Sequence, residues 1–293
     1  NNHAIYKYSK VRPSHTWHIS SAGSDATGDG SISNPLATIQ FGINAAVDGD
    51  TVLVQPGTYV ENINFNGKNI IVGSLYLASQ DTSYISQTVI DGGQNDNAVT
   101  FENGENISSK LSGFTIQNSA GLAGISCENA SPSLVGMKII NNTAAGIRLV
   151  NSDAPLSALI ISGNSAGLLV YSTSSPEISN CLISNNDGEG IHCGSSSYPV
   201  IVNTTIVNNN YGLYCSWDGS PIILNSIIWG NTHAYMNGGE NNPQISYSLL
   251  EEFPYQGTDG GHNIYSDPFF TDGANQDYSL QYFSPCIGSG LDS

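Results

Sequence analysis

The chain repeats with a period of about 22 residues. Six prolines, at positions 132, 155, 176, 199, 221 and 243, are separated by 23, 21, 23, 22 and 22 residues. Glycines at 124, 146, 167, 190 and 212 keep the same spacing, as do isoleucines at 116, 139, 161, 183, 206 and 228. A fixed period in the low twenties indicates one small supersecondary unit that is repeated along an axis.

Each unit predicts three short strands. In the unit that begins at Gly190, short apolar runs alternate with turn-forming residues. These runs are too short for helices and are typical of strands. Three strands and three turns form one coil of a parallel β-solenoid, whose coils stack at the strand spacing of about 4.8 Å. We therefore predict an all-β, single-stranded parallel β-helix.

An asparagine recurs three residues after each of the later isoleucines. The column is Asn142, Asn164, Asn186, Asn209 and Asn231. In a stack these side chains would form a ladder at one turn, where Asn tolerates left-handed geometry and its amide can bond to the next coil. The alternative is that they are ordinary loop asparagines.

Three of the five cysteines share one position in the repeat. Cys127, Cys193 and Cys215 stand where sister coils have Leu149 and Val170. A residue that exchanges with Leu and Val acts as a small buried apolar group. We therefore predict free core thiols in preference to metal ligands or disulfide partners.

The ends of the stack need caps, because end coils expose the apolar core. Asn34 before Pro35 predicts the start of a short capping helix over about 35–47, with an apolar face toward the core. Residues 1–16 show no period and predict a leader, a linker or an expression remnant. Residues 17–293 are then a single domain, with regular coils over about 88–250 and a C-terminal coil and cap over 251–293.

Two sequence motifs carry a family resemblance. Residues 23–61 contain GSD, NPLATIQ, GDTV and PGTYVE, and the C-terminal part contains DPFF and SPCIG. Together they resemble the ends of secreted right-handed parallel β-helix proteins of the pectate lyase-like superfamily, over about residues 17–291. The resemblance implies a right-handed coil and sugar binding along the outward face of one parallel sheet. The superfamily includes lyases, hydrolases, epimerases, adhesins and domains without known activity, so the fold does not select among them.

Composition excludes several partners. The formal charge is −17 with only seven Lys and Arg residues. Nucleic acids and anionic membranes need clustered bases, so we expect neither as a partner. Unaided binding of an acidic polysaccharide is disfavoured too, unless a divalent cation bridges. The sequence has no run of 18 apolar residues, the length that a membrane-spanning helix needs. The Ser, Thr, Asn and Gly content predicts a secreted or cell-surface protein. The resemblance implies that this protein is bacterial.

Strand alternation from each repeated glycine predicts which side chains face outward. One outward column is Thr100, Ser126, Arg148, Leu169, His192, Tyr214 and Met236. The next is Glu102, Glu128, Val150, Tyr171, Gly194, Ser216 and Gly238, and the following turn adds Trp217 and Asp218.

This face has the side chains of a saccharide groove. Aromatic rings stack on pyranose rings, and an Arg fork binds carboxylate or hydroxyl groups. We predict substrate contacts from Glu102, Glu128, Tyr171, Trp217 and Asp218. The alternative is an ordinary solvated sheet surface.

Catalysis on the same face is a further hypothesis. His192 and Tyr214 stand on successive coils and could serve as base and acid in β-elimination, with Arg148 neutralising a uronate carboxylate. Glu102 and Glu128 could form a retaining-glycosidase pair, although a solvated pair is the simpler interpretation. The hydrolase, epimerase and calcium-dependent lyase motifs of the superfamily are absent, which weakens the expectation of an enzyme.

Two further features have open interpretations. Asp25 and Asp29 lie in a glycine-rich loop that could hold Ca²⁺, or could be a simple solvated turn. Trp229 points outward on another sheet, in a partly apolar column with Ile140 and Val207. An apolar stripe on a flank is usually covered, and we expect the N-terminal segment or residues 251–275 to cover it, with a sugar platform or self-association as alternatives.

Three functions follow from these observations. The first is a carbohydrate-binding or polysaccharide-processing β-helix with its groove on the outward face. The second is a non-catalytic adhesive or structural module of the cell surface. The third is a polysaccharide lyase or glycoside hydrolase.

Overall fold

The chain forms a right-handed parallel β-helix of about nine turns, as predicted. The computed structural model describes residues 12–237, 242–252 and 257–291. Three short α-helices lie outside the coils: Ile39–Ala45, Tyr76–Ser79 and Ser83–Gln87. None of the helices in these ranges has the length and hydropathy to cross a membrane.

The strands build two parallel sheets and a small hairpin. The eight-stranded sheet contains Ile63–Asn64, Val99–Phe101, Ala123–Glu128, Ala145–Val150, Ala166–Tyr171, Glu189–Cys193, Tyr211–Cys215 and His233–Asn237. The eighteen-stranded sheet contains Thr16–Ile19, Thr51–Val54, Gly57–Val60, Ile71–Ser74, Thr88–Asp91, Lys110–Ser112, Thr115–Gln117, Ser133–Ile140, Leu156–Ser162, Glu177–Ser179, Leu182–Ser184, Val200–Val202, Thr205–Val207, Ile222–Leu224, Ile227–Trp229, Gln244–Ser246, Leu249–Leu250 and Thr258–Asp259. The C-terminal hairpin pairs Phe270–Asp272 with Asp277–Leu280 in antiparallel fashion around a 3₁₀ turn at Gly273–Asn275.

The core consists of stacked apolar columns. One column runs through Phe101, Cys127, Leu149, Val170, Cys193 and Cys215, and all six side chains are fully buried. All five cysteines of the chain are free thiols, which confirms the prediction for this column. Each fully buried aliphatic side chain stabilises the stack by about 2 kcal/mol.

The asparagine ladder is also confirmed. The backbone N–H and the Nδ2 of Asn164 both donate to Oδ1 of Asn186 at 3.1 Å, and the same Nδ2 donates to the carbonyl of Ile139 at 3.1 Å. The contact between neighbouring amides repeats from Asn142 to Asn231. Every ladder side chain is buried, so this turn satisfies its polar groups from coil to coil instead of with solvent.

The left-handed backbone geometry belongs to the residue before each ladder asparagine, not to the ladder residue as we expected. Asn141, Asn185 and Asn208 have φ of 55°, 54° and 55°, and Gly163 and Gly230 take the same place in their coils. The chain must bend one residue earlier because the ladder side chain itself has to point inward.

A second left-handed corner divides the eighteen-stranded sheet into two faces. Its residues are Gly136, Ala158, Asn180, Asn203, Asn225 and Tyr247. Every coil therefore has a triangular course, with the eight-stranded sheet as one of its three sides.

The capping helix is shorter than predicted. It begins at Ile39, with Thr38 rather than Asn34 as the N-cap. Leu36 is bridged to Ile19, which keeps the chain extended there. The carboxylate of Glu61 accepts hydrogen bonds from the backbone N–H groups of Ile39 and Gln40 at 2.9 Å each. These N–H groups have no acceptor within the helix, so Glu61 fixes where the helix begins.

Residues 12–16, which we expected in the leader, belong to the fold. The first strand begins at Thr16, and the buried carboxylate of Asp50 pairs with Arg12 and accepts the His15 N–H at 2.8 Å. Burial acts to raise the pKa of Asp50, but the hydrogen bonds from His15, Val47, Trp17 and Arg12 outweigh it and lower that pKa to about 2. Lys7 and Lys10 of the expected leader lie outside the described residues.

The flank that carries Trp229 is covered by the C-terminal hairpin. The hydroxyl of Tyr278 accepts hydrogen bonds from the Nδ2 groups of Asn185 and Asn208 at 3.2 and 3.0 Å, and Val207 is buried. The cover therefore includes Tyr278, beyond the predicted 251–275. Residues 1–11 of the N-terminal segment, the other predicted cover, lie outside the described residues. Self-association through this flank stays a prediction.

We expect the ladder to determine stability. Asn186→Ala should lower the free energy of unfolding by about 2–4 kcal/mol, because it leaves the buried backbone N–H of Asn164 without an acceptor and removes one acceptor of its side-chain amide. Urea denaturation followed by circular dichroism measures this change. The control is Asn210→Ala at an exposed position outside the ladder, which should change the value by less than about 0.5 kcal/mol. Equal small losses in both variants would contradict the account.

Candidate functional site

Strand pairing confirms the central outward column of the eight-stranded sheet. Neighbouring coils pair Thr100 with Ser126, and the register continues through Arg148, Leu169, His192, Tyr214 and Met236. Glu128, Val150 and Tyr171 pair in the next column. Gly238, expected in that column, lies outside the described residues.

A third outward column lies before each repeated glycine and was not predicted. It consists of Ala123, Ala145, Ala166, Glu189, Tyr211 and His233. Leu169 packs on the three alanines, and the ring of Tyr211 lies 6.3 Å from that of Tyr214. These contacts place the column on the same face. The repeat spacing already aligned these residues in the sequence. The prediction missed them because it assigned outward positions only to residues that follow the glycine.

His192 is the centre of a hydrogen-bonded chain across three coils. Its Nδ1 lies 2.9 Å from the hydroxyl of Tyr171 on the preceding coil, and its Nε2 lies 2.9 Å from Oγ of Ser216 on the following coil. Its ring also packs on Tyr214 at 4.4 Å between centroids. The register placed all four residues outward, but only side-chain geometry reveals that Tyr171 and Ser216 hold the imidazole.

Burial sets the protonation of this chain. It lowers the pKa of His192, against the opposing influence of the Glu189 carboxylate. It also raises the pKa of Tyr171 to about 12, with a further contribution from Glu189. At neutral pH the imidazole and the phenol are therefore both neutral, and each ring nitrogen of His192 is engaged with a hydroxyl group. A role for His192 as a general base would require one of those hydroxyls to be displaced.

The charged residues of the face are held by different partners. NH1 of Arg148 donates to Oε2 of Glu128 at 3.2 Å. Oε1 of Glu102 accepts a hydrogen bond from Nδ2 of Asn64 at 2.8 Å. The glycosidase pair of Glu102 and Glu128 stays a prediction.

Trp217 and Asp218 form an exposed turn after the strand Tyr211–Cys215. Both have left-handed backbone, with φ of 48° and 65°, and the carbonyl of Trp217 accepts the N–H of Ser196 at 2.9 Å. The indole is 75% exposed. A bulky aromatic residue in this conformation is uncommon and strained. Here it follows the strand that carries Tyr214, and its side chain is open to solvent.

The aspartates predicted to bind calcium are held by other groups. Asp25 accepts the N–H groups of Ala37 and Thr38 and the hydroxyl of Thr38, at 2.7, 3.1 and 2.7 Å. Asp29 accepts the N–H of Ser31 at 2.9 Å. Within the described ranges no three His, Cys, Asp or Glu side chains form a group that could hold a metal ion. These carboxylates stabilise the loop before the capping helix, and calcium binding there stays a prediction.

Two clefts lie on other sides of the molecule. One of about 430 Å³ lies between the eighteen-stranded sheet and the C-terminal hairpin, and one of about 370 Å³ lies beneath the residues that follow it. Neither is lined by Arg148, His192 or Tyr214. The candidate site is therefore a surface of the solenoid side, separate from both clefts.

The protonation of His192 can be measured directly. We expect its imidazole to titrate below the usual value of 6.5, because burial disfavours the charged ring. Glu189→Gln should lower the midpoint further, because it removes the carboxylate that favours the protonated form. NMR titration of the imidazole C–H signals, assigned with His192→Gln, tests both statements. A midpoint at or above 6.5 would contradict the influence of burial on His192, and an upward shift in Glu189→Gln would contradict the influence of the carboxylate.

Comparison with known proteins agrees with this architecture. A family model described as right handed beta helix region matches residues 145–253. The structure of pectate lyase Pel9A aligns over 97% of this chain and 93% of its own, with 14% identity and a TM-score of 0.69. A Geobacillus virus E2 protein, ORF18, aligns over 80% of this chain and 52% of its own, with 15% identity and a TM-score of 0.60.

A pectin methylesterase in complex with a hexasaccharide aligns over 90% of this chain and 98% of its own, with 12% identity and a TM-score of 0.51. No curated protein sequence matches significantly. At these identities the likeness concerns the fold, and it agrees with the resemblance seen in the terminal motifs. The chain therefore has a right-handed parallel β-helix fold, which it shares with pectate lyase Pel9A.

Proposed function

We propose that this protein is an extracellular polysaccharide-binding β-helix. Its binding surface is the outward face of the eight-stranded sheet, which we call the glycan face. It comprises the three outward columns of that sheet and the turn at Trp217 and Asp218. Sugar chains would lie across successive coils on this face.

The exposed indole of Trp217 is the observation that carries the proposal. Trp217 is 75% exposed and has a strained backbone. The rings of Tyr214, on the strand that precedes it, and His192, on the neighbouring strand, lie 4.4 Å apart. Aromatic faces bind pyranose rings by burying the apolar C–H groups of the sugar. Asp218 next to the indole offers a carboxylate acceptor for sugar hydroxyls.

The structural relatives support the same class of ligand. Two of those described above have names that give pectate or pectin as the substrate, and one was solved with a hexasaccharide. This support is at the level of polysaccharides in general, since the identities are only 12–14%.

Polysaccharide cleavage by β-elimination is the second candidate function. The contact between the rings of His192 and Tyr214 and the presence of Arg148 in the same column favour it. In such a reaction the imidazole would take the proton next to the uronate carboxylate and Tyr214 would protonate the leaving oxygen. The hydrogen bonds of His192 to Tyr171 and Ser216 are its main obstacle, because both ring nitrogens are already occupied.

Affinity electrophoresis against a panel of plant, algal and bacterial polysaccharides tests the proposal, with and without calcium. We expect retardation by at least one polymer and a loss of more than about fivefold in affinity in Trp217→Ala, as for a central aromatic contact. The matched control is Tyr282→Ala, an aromatic residue that is 90% exposed in the C-terminal region, which should bind like the wild type.

Product assays on the same samples separate the alternatives. Ultraviolet absorbance of unsaturated ends, lost in His192→Gln and Tyr214→Phe, would support elimination on the glycan face. New reducing ends without that absorbance would indicate hydrolysis by carboxylates. No retardation by any polymer would overturn the proposal and favour a structural module, and retardation that Trp217→Ala does not weaken would place binding elsewhere.

A further inference from the structure

The basic residues of the chain are almost all remote from the glycan face. The chain has seven Lys and Arg residues: Lys7, Lys10, Arg12, Lys68, Lys110, Lys138 and Arg148. The first two lie outside the described residues. Of the other five, only Arg148 belongs to the eight-stranded sheet.

Each of the other described cations has a place away from this face. Arg12 pairs with Asp50 at the N-terminal end. Lys68 donates to the carbonyls of Ile43, Asn44 and Ala46 at the end of the capping helix, at 2.7–2.8 Å. Lys110 and Lys138 belong to strands of the eighteen-stranded sheet.

The charge of Arg148 is itself compensated. Its guanidinium lies 3.2 Å from the carboxylate of Glu128, and its side chain is 21% exposed against 48% for that of Glu128. An anion that approaches Arg148 would therefore also come close to the carboxylate of Glu128, which is the more exposed of the two groups and would repel it. The ion pair presents little net positive charge to a ligand.

The remaining charged groups of the face are negative. Glu102 lies toward the N-terminal end, Glu189 lies next to the Tyr171–His192 chain, and Asp218 follows Trp217. His192 adds no charge at neutral pH, because burial lowers its pKa. A surface of one sign repels ligands of the same sign and lowers their rate of encounter.

Uncharged groups occupy the rest of the face. Its C-terminal half presents rings, with Tyr211 stacked on His233 at 4.9 Å and Tyr214 tilted against His192 at 4.4 Å between centroids. Its N-terminal half has Leu169 packed on a column of three alanines that are themselves buried. Apolar rings match the C–H faces of a sugar. Neither the rings nor the uncharged groups around them offer a counter-charge for a carboxylate.

We infer that the ligand of the glycan face is a neutral polysaccharide, a chain of uncharged pyranoses, and not a uronate polymer. The inference rests on the proposed function, since it specifies the ligand of the same surface. The inferred ligand differs from the pectate and pectin that appear in the names of two structurally similar proteins. Although the fold is shared, the described residues of this chain's glycan face lack the uncompensated positive charges that would bind the carboxylates of a polyuronate.

Matched polymer pairs test the inference with the full-length protein. Polygalacturonate is compared with the same polymer after complete methyl esterification, and carboxymethylcellulose with hydroxyethylcellulose. Each pair shares its sugar backbone and differs in charge. Affinity electrophoresis is run at low and high salt, with calcium or with EDTA, for the wild type, Trp217→Ala and the control Tyr282→Ala.

We expect the wild type to bind an uncharged member at least about tenfold more tightly than its charged partner, because like charges on the face disfavour the anion. This binding should be insensitive to salt and lost in Trp217→Ala. Tighter binding of the charged member, with or without calcium, that Trp217→Ala abolishes would overturn the inference and leave the proposed function standing. Binding of the uncharged member that weakens steeply with salt would also overturn it. Binding of no polymer, or binding that Trp217→Ala does not affect, would overturn the proposed function itself and the inference with it.

Discussion

The contact of each coil with the next through buried polar side chains is the constraint on which the rest of this structure depends. The backbone hydrogen bonds of a parallel sheet hold neighbouring strands, but they do not by themselves prevent a coil from slipping by two residues. The asparagine ladder does, because each buried amide has one acceptor at one place in the next coil. A slipped coil would leave several buried amide groups without partners. The constant register of the outward columns is a consequence of this inner constraint.

Much of the architecture can be predicted from the sequence because a repeat converts one local pattern into many equivalent positions. The inward thiols, the ladder and the column from Thr100 to Met236 follow from counting residues along the period. The same counting fails where the chain departs from the period. The start of the capping helix depends on Glu61, which is 22 residues away from Ile39 in sequence and supplies the acceptor that the first turn needs. The cover of the Trp229 flank depends on Tyr278, which is 93 residues from Asn185.

The candidate site shows the same division between register and contact. The sequence predicts that Tyr171, His192, Tyr214 and Ser216 face outward. It does not predict that Tyr171 and Ser216 both bond to His192, since that depends on rotamers and on the spacing between rings. The column of Glu189, Tyr211 and His233 was missed because the backbone around the repeated glycine departs from simple alternation. The charge pattern of the face can be predicted from the sequence only after each lysine and arginine has been assigned to one side of the coil.

Tryptophan fluorescence tests the proposed binding of sugar rings on Trp217 most directly. The chain has three tryptophans, at positions 17, 217 and 229, and only Trp217 is on the glycan face. Titration of the wild type and of Trp229→Phe with a neutral oligosaccharide should give the same saturable change in emission, and Trp217→Phe should abolish that change. A saturable change that persists in Trp217→Phe would contradict the account, because the sugar would then bind at another place on the molecule.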